Sequence, residues 1–430
     1  MPLKQSSSRG GRMPLAVKSN RVEVLTVTSP TVRRVMQGEL CTGCGLCAAA
    51  SGGAFRMESL AGYNRPVQQG CLSADAERTI AEACPGAVVA PWETGPSVHP
   101  YWGQLRQVLT GYALDETTRF EGSSGGAISG LLIHALKTGL VDRVLHIAPD
   151  PADPTRNVAV MSRSAEEVLS RAGSRYTASS PLEHIESALA EGGAMAFVGK
   201  PCDASALRQL ARFDERVGRH VPLVLSFFCG GIPSHAGVGR ILQTMGVDPA
   251  EVREFRFRGR GWPGNAAATT ADRTVEMSYA DSWGGHLSKE VQFRCKICPD
   301  AVGGVADIAC ADAWYGDDDG YPSFEEQAGR SLIVTRTEAG DRLLESAIAA
   351  GAIAAEPLNP DEIEKMQPSQ ARRKRLILSR MLALPVTLQP WPRMARLQIL
   401  RAAAQAGFGE QVKNLLGTVR RTLAGRRSAL

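Results

Sequence analysis

The feature that most constrains this chain is a run of three cysteines, C-T-G-C-G-L-C, in which Cys41, Cys44 and Cys47 repeat at C-x2-C-x2-C spacing. Bacterial ferredoxins place a fourth cysteine and a proline soon after such a run, and that cysteine serves a second cluster. Here Ser51 occupies that place, and Cys84, followed by a proline, comes much later. Three close thiolates and one remote thiolate suit a single [4Fe–4S] cluster. A zinc site is the alternative, although zinc usually prefers paired C-x2-C units.

A second group of cysteines lies farther along the chain. Two of them follow apolar, strand-like segments and stand beside glycine or proline, and two form a C-K-I-C unit. These four are Cys202, Cys229, Cys295 and Cys298. They are predicted to hold a second metal centre, with a zinc site or unrelated core cysteines as the alternatives. The remaining Cys71 and Cys310 are predicted to be structural, Cys310 within an apolar strand.

The charge of the chain is unevenly distributed. Its 430 residues carry a net charge of +5, but residues 369–430 hold 13 Lys or Arg and one acid, and residues 1–40 hold seven basic residues and two acids. The segment between them is therefore acidic, which argues against nucleic acid as a partner. No apolar run reaches the ~18–20 residues that span a bilayer, and no signal peptide is recognisable. The sequence predicts a cytoplasmic protein with reduced cysteines.

Hydrophobic patterning predicts the domain organisation. Residues 1–35 are predicted to be a disordered basic N-terminus, and residues 36–95 a small ferredoxin-like [4Fe–4S] domain. Residues 100–368 alternate strand-like and helical segments, which predicts a mixed α/β or α+β core. Residues 369–430 are predicted to be a basic amphipathic helical tail. Its segment Glu410–Leu423 can lie on anionic lipid at the inner face of a membrane, or pack on the protein's own core.

Two small-residue loops are candidate cofactor-binding elements. The first precedes an apolar helix, and small residues at a helix N-terminus suit a phosphate. The second combines a turn with an arginine that can pair with a phosphate and a tyrosine that can stack on a ring. Each is also compatible with an ordinary turn or cap. With a lysine that can place a cation near a flavin or a bound anion, the candidates are Ser123, Ser124, Gly125, Gly126, Gly173, Ser174, Arg175, Tyr176 and Lys200.

Six motifs in a fixed order carry a resemblance to a known family. They are SSGG at 123–126, GSRY at 173–176, VGKPCD at 198–203, FFCGG at 227–231, FRGRGWPG at 257–264 and CKICPD…ADIACADAW at 295–314. From about Cys41 to Met366 the chain resembles the coenzyme F-420 hydrogenase/dehydrogenase beta-subunit family of iron–sulfur flavoproteins. The resemblance implies FAD in contact with both loops, and one or two [4Fe–4S] clusters, one of them held by the second cysteine group beside the flavin. It also implies a substrate such as coenzyme F-420 or a tetrapyrrole.

The sequence therefore predicts an iron–sulfur flavoprotein oxidoreductase with FAD and two [4Fe–4S] clusters. A ferredoxin or another protein electron donor would deliver electrons at the first cysteine group for an organic substrate, with polysaccharide biosynthesis as one setting. The candidate proton donors are His286, Asp307, Asp312 and Tyr176. Two alternatives stay open: a non-catalytic electron-transfer subunit, and a membrane-recruited scaffold of a polysaccharide assembly system.

Overall fold

The structure is a computed structural model that describes residues 27–95, 97–316 and 326–424. In these residues the strands are β1 (Phe55–Leu60), β2 (Tyr63–Gln68), β3 (Val98–His99), β4 (Gly103–Gln104), β5 (Val108–Ala113), β6 (Arg143–Pro149), β7 (Asn157–Ser162), β8 (Met195–Val198), β9 (Leu223–Phe227), β10 (Glu254–Arg256), β11 (Ala266–Thr269), β12 (Thr274–Met277), β13 (Ile308–Asp312), β14 (Ser331–Thr335) and β15 (Ile353–Pro357). The α-helices are α1 (Pro30–Gln37), α2 (Leu46–Ala50), α3 (Ala74–Ala83), α4 (Glu116–Glu121), α5 (Ala127–Lys137), α6 (Ala165–Ser170), α7 (Ile185–Ala190), α8 (Pro201–Leu210), α9 (Glu215–His220), α10 (His235–Met245), α11 (Phe293–Lys296), α12 (Glu338–Ala349), α13 (Ile363–Met366), α14 (Pro368–Val386), α15 (Ile399–Ala403) and α16 (Phe408–Leu423).

A mixed sheet of eight strands forms the core of the described chain, in the order β15-β5-β14-β13-β9-β8-β6-β7. The neighbours β13, β9, β8 and β6 are parallel, and antiparallel strands flank them on both sides. Alternate side chains of a strand point to opposite faces. Accordingly, Leu225 joins the apolar cluster under α5 and α12, whereas Val224 joins the cluster under α7 and α8. Both faces are thus covered, and the predicted mixed α/β core is confirmed.

The cysteine-rich N-terminal region packs directly on the sheet. Cys44, Leu46 and Ala83 belong to the same apolar cluster as Leu182 and Phe197 of the core. The antiparallel hairpin of β1 and β2, together with α3, completes the region. The loop that carries the cysteine run is therefore fixed by contacts with the larger domain.

A helix occupies part of the segment for which the sequence predicts disorder. The Ser29 side chain accepts a hydrogen bond from the Val32 backbone N–H at 3.0 Å, and Val32 and Val35 of α1 are buried. The prediction of disorder is wrong for residues 30–35, because these apolar positions pack on the cysteine-rich region. Residues 1–26 lie outside the described residues.

The basic tail folds onto the domain. α14 buries Leu376, Ile377 and Leu384, and α15 and α16 both pack on α14. In α16, Leu416 and Leu423 are exposed, and contact of this tail with a membrane surface stays a prediction. Among the helices of the described residues, none combines the length and the apolar character needed to cross a membrane.

Candidate active site

The structure gathers the four cysteines of the first group. Cys41, Cys44 and Cys47 lie around the N-terminus of α2, and Cys84 follows the end of α3. Burial, and then the nearby Cys41, raise the pKa of the Cys84 thiol to about 11. The pKa values of Cys44 and Cys47 are also raised, first by burial and then by Cys84. Thiolates at these positions therefore need a cationic partner, which the iron of a cluster would supply.

The loop between these cysteines requires glycine. Gly43 and Gly45 have φ angles of 77° and 88°. A Cβ added to Gly45 would lie 2.6 Å from the backbone nitrogen of Glu183. A hydrogen bond from the Leu182 N–H to the Cys44 carbonyl at 3.0 Å also joins this loop to the core. The C-T-G-C-G sequence thus lets the cysteine loop approach the core closely.

The second cysteine group assembles at the carboxyl ends of two parallel strands. Cys202 follows β8, Cys229 follows β9, and Cys295 and Cys298 lie on and just after α11. Burial, and then Cys295, raise the pKa of Cys229 to about 12. Burial also raises the pKa of Cys202 and of Cys298. The Ile232 N–H lies 3.4 Å from the Cys295 sulfur, where it donates a hydrogen bond.

The spacing within the two groups differs from that of a single-ion site. Among the described residues, no three or more His, Cys, Asp or Glu side chains stand close enough to share one metal ion. A [4Fe–4S] cube places each thiolate on a different iron, so its ligands stand farther apart than those of one zinc ion. Within each group the buried thiols lie close enough to act on one another electrostatically. This arrangement is compatible with one such cube in each group.

A large cavity lies at the carboxyl ends of β8, β9 and β13. Its volume is about 720 Å³, which falls within the usual range of small-molecule sites. Ligands of open α/β sheets bind at this edge. Cys229 and Cys295 line the cavity together with residues of both small-residue loops. The fold therefore brings the second cysteine group and the candidate cofactor loops to one site.

The first small-residue loop forms the N-terminus of α5, as predicted. Gly125 and Gly126 have φ angles of 80° and 71°, and a Cβ on Gly126 would collide with the Thr118 carbonyl. Gly126 lines the cavity, whereas Gly125 packs against the Gly329 backbone. The glycines thus turn the chain sharply enough to present the helix N-terminus to the cavity.

The two serines of this loop have different partners. The Ser123 hydroxyl oxygen accepts a hydrogen bond from the Ser174 N–H at 2.7 Å, which ties the two loops together. The Ser124 hydroxyl donates to the Ala311 carbonyl at 3.0 Å. The Ser124 hydroxyl thus donates within the protein, whereas the Ser123 hydroxyl accepts there and keeps its own O–H donor. A phosphate here would depend on backbone N–H groups, the helix dipole and the Ser123 hydroxyl.

The second small-residue loop uses its arginine for its own structure. The Arg175 guanidinium donates to the Asn157 side chain at 2.7 Å and to three backbone carbonyls, one of them Phe255 at 2.9 Å. Burial lowers the pKa of Arg175 to about 10. These donors hold the loop, and a pairing of Arg175 with a phosphate stays a prediction. Tyr176 lines the cavity, with its ring 5.0 Å from that of Trp283.

Lys200 is buried between the two cysteine groups. Its Nζ lies 2.7 Å from an Asp203 carboxylate oxygen and donates to the Ser179 hydroxyl at 3.0 Å. Burial opposes the positive charge, but the Asp203 carboxylate raises the pKa of Lys200 above its usual range. Cys202 and Cys44 also act electrostatically on this ammonium group. The predicted cation thus lies beside both the cavity and the cysteines.

The structure separates the four candidate proton donors. Of the described residues that line the cavity, two are candidates, Tyr176 and Asp312. Asp307 instead accepts hydrogen bonds from the β9 backbone at 2.7 Å and from the Thr337 hydroxyl at 2.7 Å. His286 ends a π-helical turn and is not among the lining residues. Asp307 and His286 thus lie outside the residues that line the cavity, and a role for either as a proton donor stays a prediction.

Asp312 belongs to a buried ion pair that the sequence did not predict. Arg258 donates to both Asp312 oxygens, at 2.8 and 2.6 Å, and the Trp262 indole N–H donates at 2.7 Å. The Arg258 guanidinium also lies over the rings of Tyr279 and Trp314. The alternation of basic and aromatic residues in FRGRGWPG was the available signal.

The tail supplies another wall of the cavity, which the sequence did not predict. Arg372, Arg373 and Arg380 of α14 line it. Arg373 donates to the backbone carbonyls of the Cys229 loop at 3.1 and 2.9 Å, and Arg380 donates to the Lys296 carbonyl at 2.7 Å. The R-R-K-R run was the signal, but helical position, not composition, decides which of its members reach the cavity.

Two family models match the chain, and both describe the beta subunit of coenzyme F420 hydrogenase/dehydrogenase. The model of its N-terminal part matches residues 108–186, and the model of its C-terminal part matches residues 192–361. Together they span more than half of the chain and most of the cavity. The first cysteine group and the tail wall lie outside both.

Several curated proteins are similar to the chain. Coenzyme F420 hydrogenase subunit beta of Methanococcus voltae is 25% identical over 66% of this chain and 99% of its own length. Coenzyme F420-dependent sulfite reductase of Methanocaldococcus jannaschii is 25% identical over 59% of this chain and 38% of its own. The chloroplastic 7-hydroxymethyl chlorophyll a reductase of Oryza sativa is 25% identical over 51% of this chain and 45% of its own.

A solved structure has the same fold. A chain of the F420-reducing [NiFe] hydrogenase complex from Methanosarcina barkeri superposes with a TM-score of 0.53 at 19% identity. The match covers 69% of this chain and 98% of that chain. At this identity the likeness concerns the fold alone.

Proposed function

Because the chain belongs to the coenzyme F420 hydrogenase/dehydrogenase beta-subunit family, we propose that it is an iron–sulfur flavoprotein oxidoreductase that exchanges electrons between a protein partner and an organic substrate. Its relatives bear the names of a hydrogenase subunit, a sulfite reductase and a chlorophyll reductase, all of which are oxidoreductases. The observation that carries the proposal is that Cys229, Cys295 and both small-residue loops border one cavity.

Residues of the cavity fit FAD. The N-terminus of α5 offers N–H groups and a positive dipole end to a diphosphate. Tyr176 and Trp283 offer aromatic surface to a planar ring. Of the candidate proton donors that border this cavity, Tyr176 offers its hydroxyl, whereas the Asp312 carboxylate is paired with Arg258. When bound, FAD would supply two-electron hydride chemistry and [4Fe–4S] clusters would supply single electrons.

The closeness of the two cysteine groups supports two clusters that act together. Arg294 is buried between the groups: it donates to the Pro85 carbonyl, next to Cys84, at 2.9 Å, and it acts electrostatically on both Cys84 and Cys298. Lys200 likewise interacts electrostatically with a cysteine of each group, Cys44 and Cys202. A ferredoxin or a hydrogenase-like protein is the proposed electron partner at the first group.

Metal and flavin analysis of anaerobically purified protein tests the proposal. We expect about eight irons, about eight sulfides and about one FAD per chain. Cys295→Ala should remove about four irons and weaken flavin retention. Cys71→Ala is the matched control, because Cys71 is exposed and belongs to neither group. Zinc without iron or flavin would overturn the proposal.

A second candidate is an electron-transfer subunit without its own substrate. It is favoured by the name of the Methanococcus voltae relative, a hydrogenase subunit that the chain matches over 99% of its length. The two candidates differ in one assay. With reduced ferredoxin as the donor, only the catalytic protein would by itself reduce an organic acceptor from a panel of deazaflavins, tetrapyrroles and sugar nucleotides.

A further inference from the structure

The charged side chains around the cavity are mostly basic. The described lining residues include eight Lys or Arg and two carboxylates. Both carboxylates are already paired, Asp203 with Lys200 and Asp312 with Arg258. The remaining basic side chains outnumber the negative charges of one diphosphate group. The cavity therefore offers more cationic side chains than one diphosphate group needs.

Part of this excess lies on the tail wall, which consists of Arg372, Arg373 and Arg380. Burial, and then the like charges of Arg373, Arg372 and Arg421, lower the pKa of Arg380 to about 10. Glu410 pairs with Arg372 at 3.0 Å and offsets one of these charges. Crowded, half-buried cations of this kind are stabilised by a bound anion.

The guanidinium groups of the tail wall are held in place by the protein. Arg373 is fixed by carbonyls of the Cys229 loop, and Arg380 by the Lys296 carbonyl and the Asn414 side chain. A guanidinium has five N–H donors, so each retains donors beyond these contacts. Fixed, planar donors suit bidentate binding of carboxylate or phosphate groups.

We propose that the tail wall recognises an anionic organic substrate that carries two or more carboxylate or phosphate groups. The inference rests on the proposed function, because such a substrate would meet the flavin in this cavity. The tail wall lies beyond residue 361, where the match to the family model ends. Substrate choice would therefore depend on a segment that the family models do not include.

Citrate is the test probe and acetate the monoanionic comparison, each titrated calorimetrically into the flavin-loaded protein. Citrate should bind more tightly than acetate, and added NaCl should weaken its binding. Arg373→Gln and Arg380→Gln should each weaken citrate binding about tenfold or more. Arg342→Gln is the matched control, because Arg342 is exposed on α12 and pairs with Glu338.

Citrate that binds no better than acetate, or whose affinity is insensitive to both tail-wall substitutions, would overturn the inference. Arg380→Lys separates charge from loop packing: it should keep most of the affinity that Arg380→Gln loses. If Arg380→Lys and Arg380→Gln lose the same citrate affinity while the thermal midpoint is unchanged, the result contradicts an anion site. Iron and flavin assays on the same samples keep the two proposals apart. Protein that contains iron and flavin but does not bind citrate refutes the anion site alone. Protein that contains neither iron nor flavin refutes the proposed function.

Discussion

The ion pair between Asp312 and Arg258 supports a quantitative prediction about stability. Arg258 donates to the carboxylate at 2.6 and 2.8 Å, and Trp262 adds a third hydrogen bond at 2.7 Å. The Arg258 side chain is 1% exposed and that of Asp312 is 19% exposed. Asp312→Asn keeps the shape of the side chain and removes its charge. A buried guanidinium is then left without its counter-ion.

Removing one partner of a buried ion pair costs about 3–5 kcal/mol. We expect the lower end, about 3 kcal/mol, because the asparagine oxygen still accepts a hydrogen bond and Asp312 is partly exposed. At about 1 °C per kcal/mol for a chain of 430 residues, the thermal midpoint should fall by roughly 3 °C.

Scanning calorimetry of the purified protein measures this shift. Arg342→Gln is the control, because its ion pair with Glu338 is 3.9 Å long and both side chains are more than two-thirds exposed, so its midpoint should change by about 1 °C or less. Combining Asp312→Asn with Arg258→Met should recover part of the loss, because no unpaired charge is then buried. If Asp312→Asn shifts the thermal midpoint no more than Arg342→Gln does, the reasoning is refuted.

Three other changes test separate parts of the structure. Gly45→Ala should lower the iron content by about four irons, because Gly45 has a φ of 88° and its Cβ would meet Glu183; an iron assay that finds full content contradicts this. Burial lowers the pKa of His146 to about 4, so the unfolded chain binds more protons between pH ~4 and ~6.5 and stability rises with pH there. His146→Asn should flatten that rise in thermal midpoints measured across the window, and equal slopes would argue against it. Arg294 is 2% exposed, and a buried cation stabilises the reduced, more negative form of a cluster. Arg294→Gln should therefore lower the reduction potentials of the clusters in a titration followed by electron paramagnetic resonance. Unchanged potentials would argue against an electrostatic effect of Arg294 on the two cysteine groups.

The cysteine groups show how far spacing alone can be used. The first group could be predicted because three of its members lie within seven residues, so local chain geometry brings them together. The second group needed a further inference, that segments ending at Cys202 and Cys229 are strands. Their meeting depends on the parallel pairing of β8 with β9, and a parallel pair leaves no local turn signal in the sequence.

The candidate acids show what spacing could not decide. Asp307 and Asp312 lie five residues apart and have similar neighbours in the sequence. Asp307 precedes β13 and Asp312 ends it, so the length of the strand separates them by roughly 17 Å. Only the carboxyl end of a parallel strand faces the ligand edge of the sheet. The direction of β13 relative to β9 comes from long-range pairing, and that pairing made Asp312 a cavity residue and Asp307 a structural one.

The tail illustrates the same limit and bears on how its role can be tested. A basic run suggests a solvated or lipid-facing helix by composition, but helical geometry distributes its charges around the axis. Lys374 is buried, donates to the Pro299 carbonyl, and has its pKa lowered to about 7 by burial, whereas Arg373 holds the Cys229 loop. The tail charges thus stabilise two of the three segments that carry the second cysteine group, at Cys229 and next to Cys298, as well as facing the cavity. Deletion of residues 369–430 should therefore disturb metal and flavin content together with substrate binding, so single substitutions, rather than truncation, can separate recognition of an anion from assembly of the site.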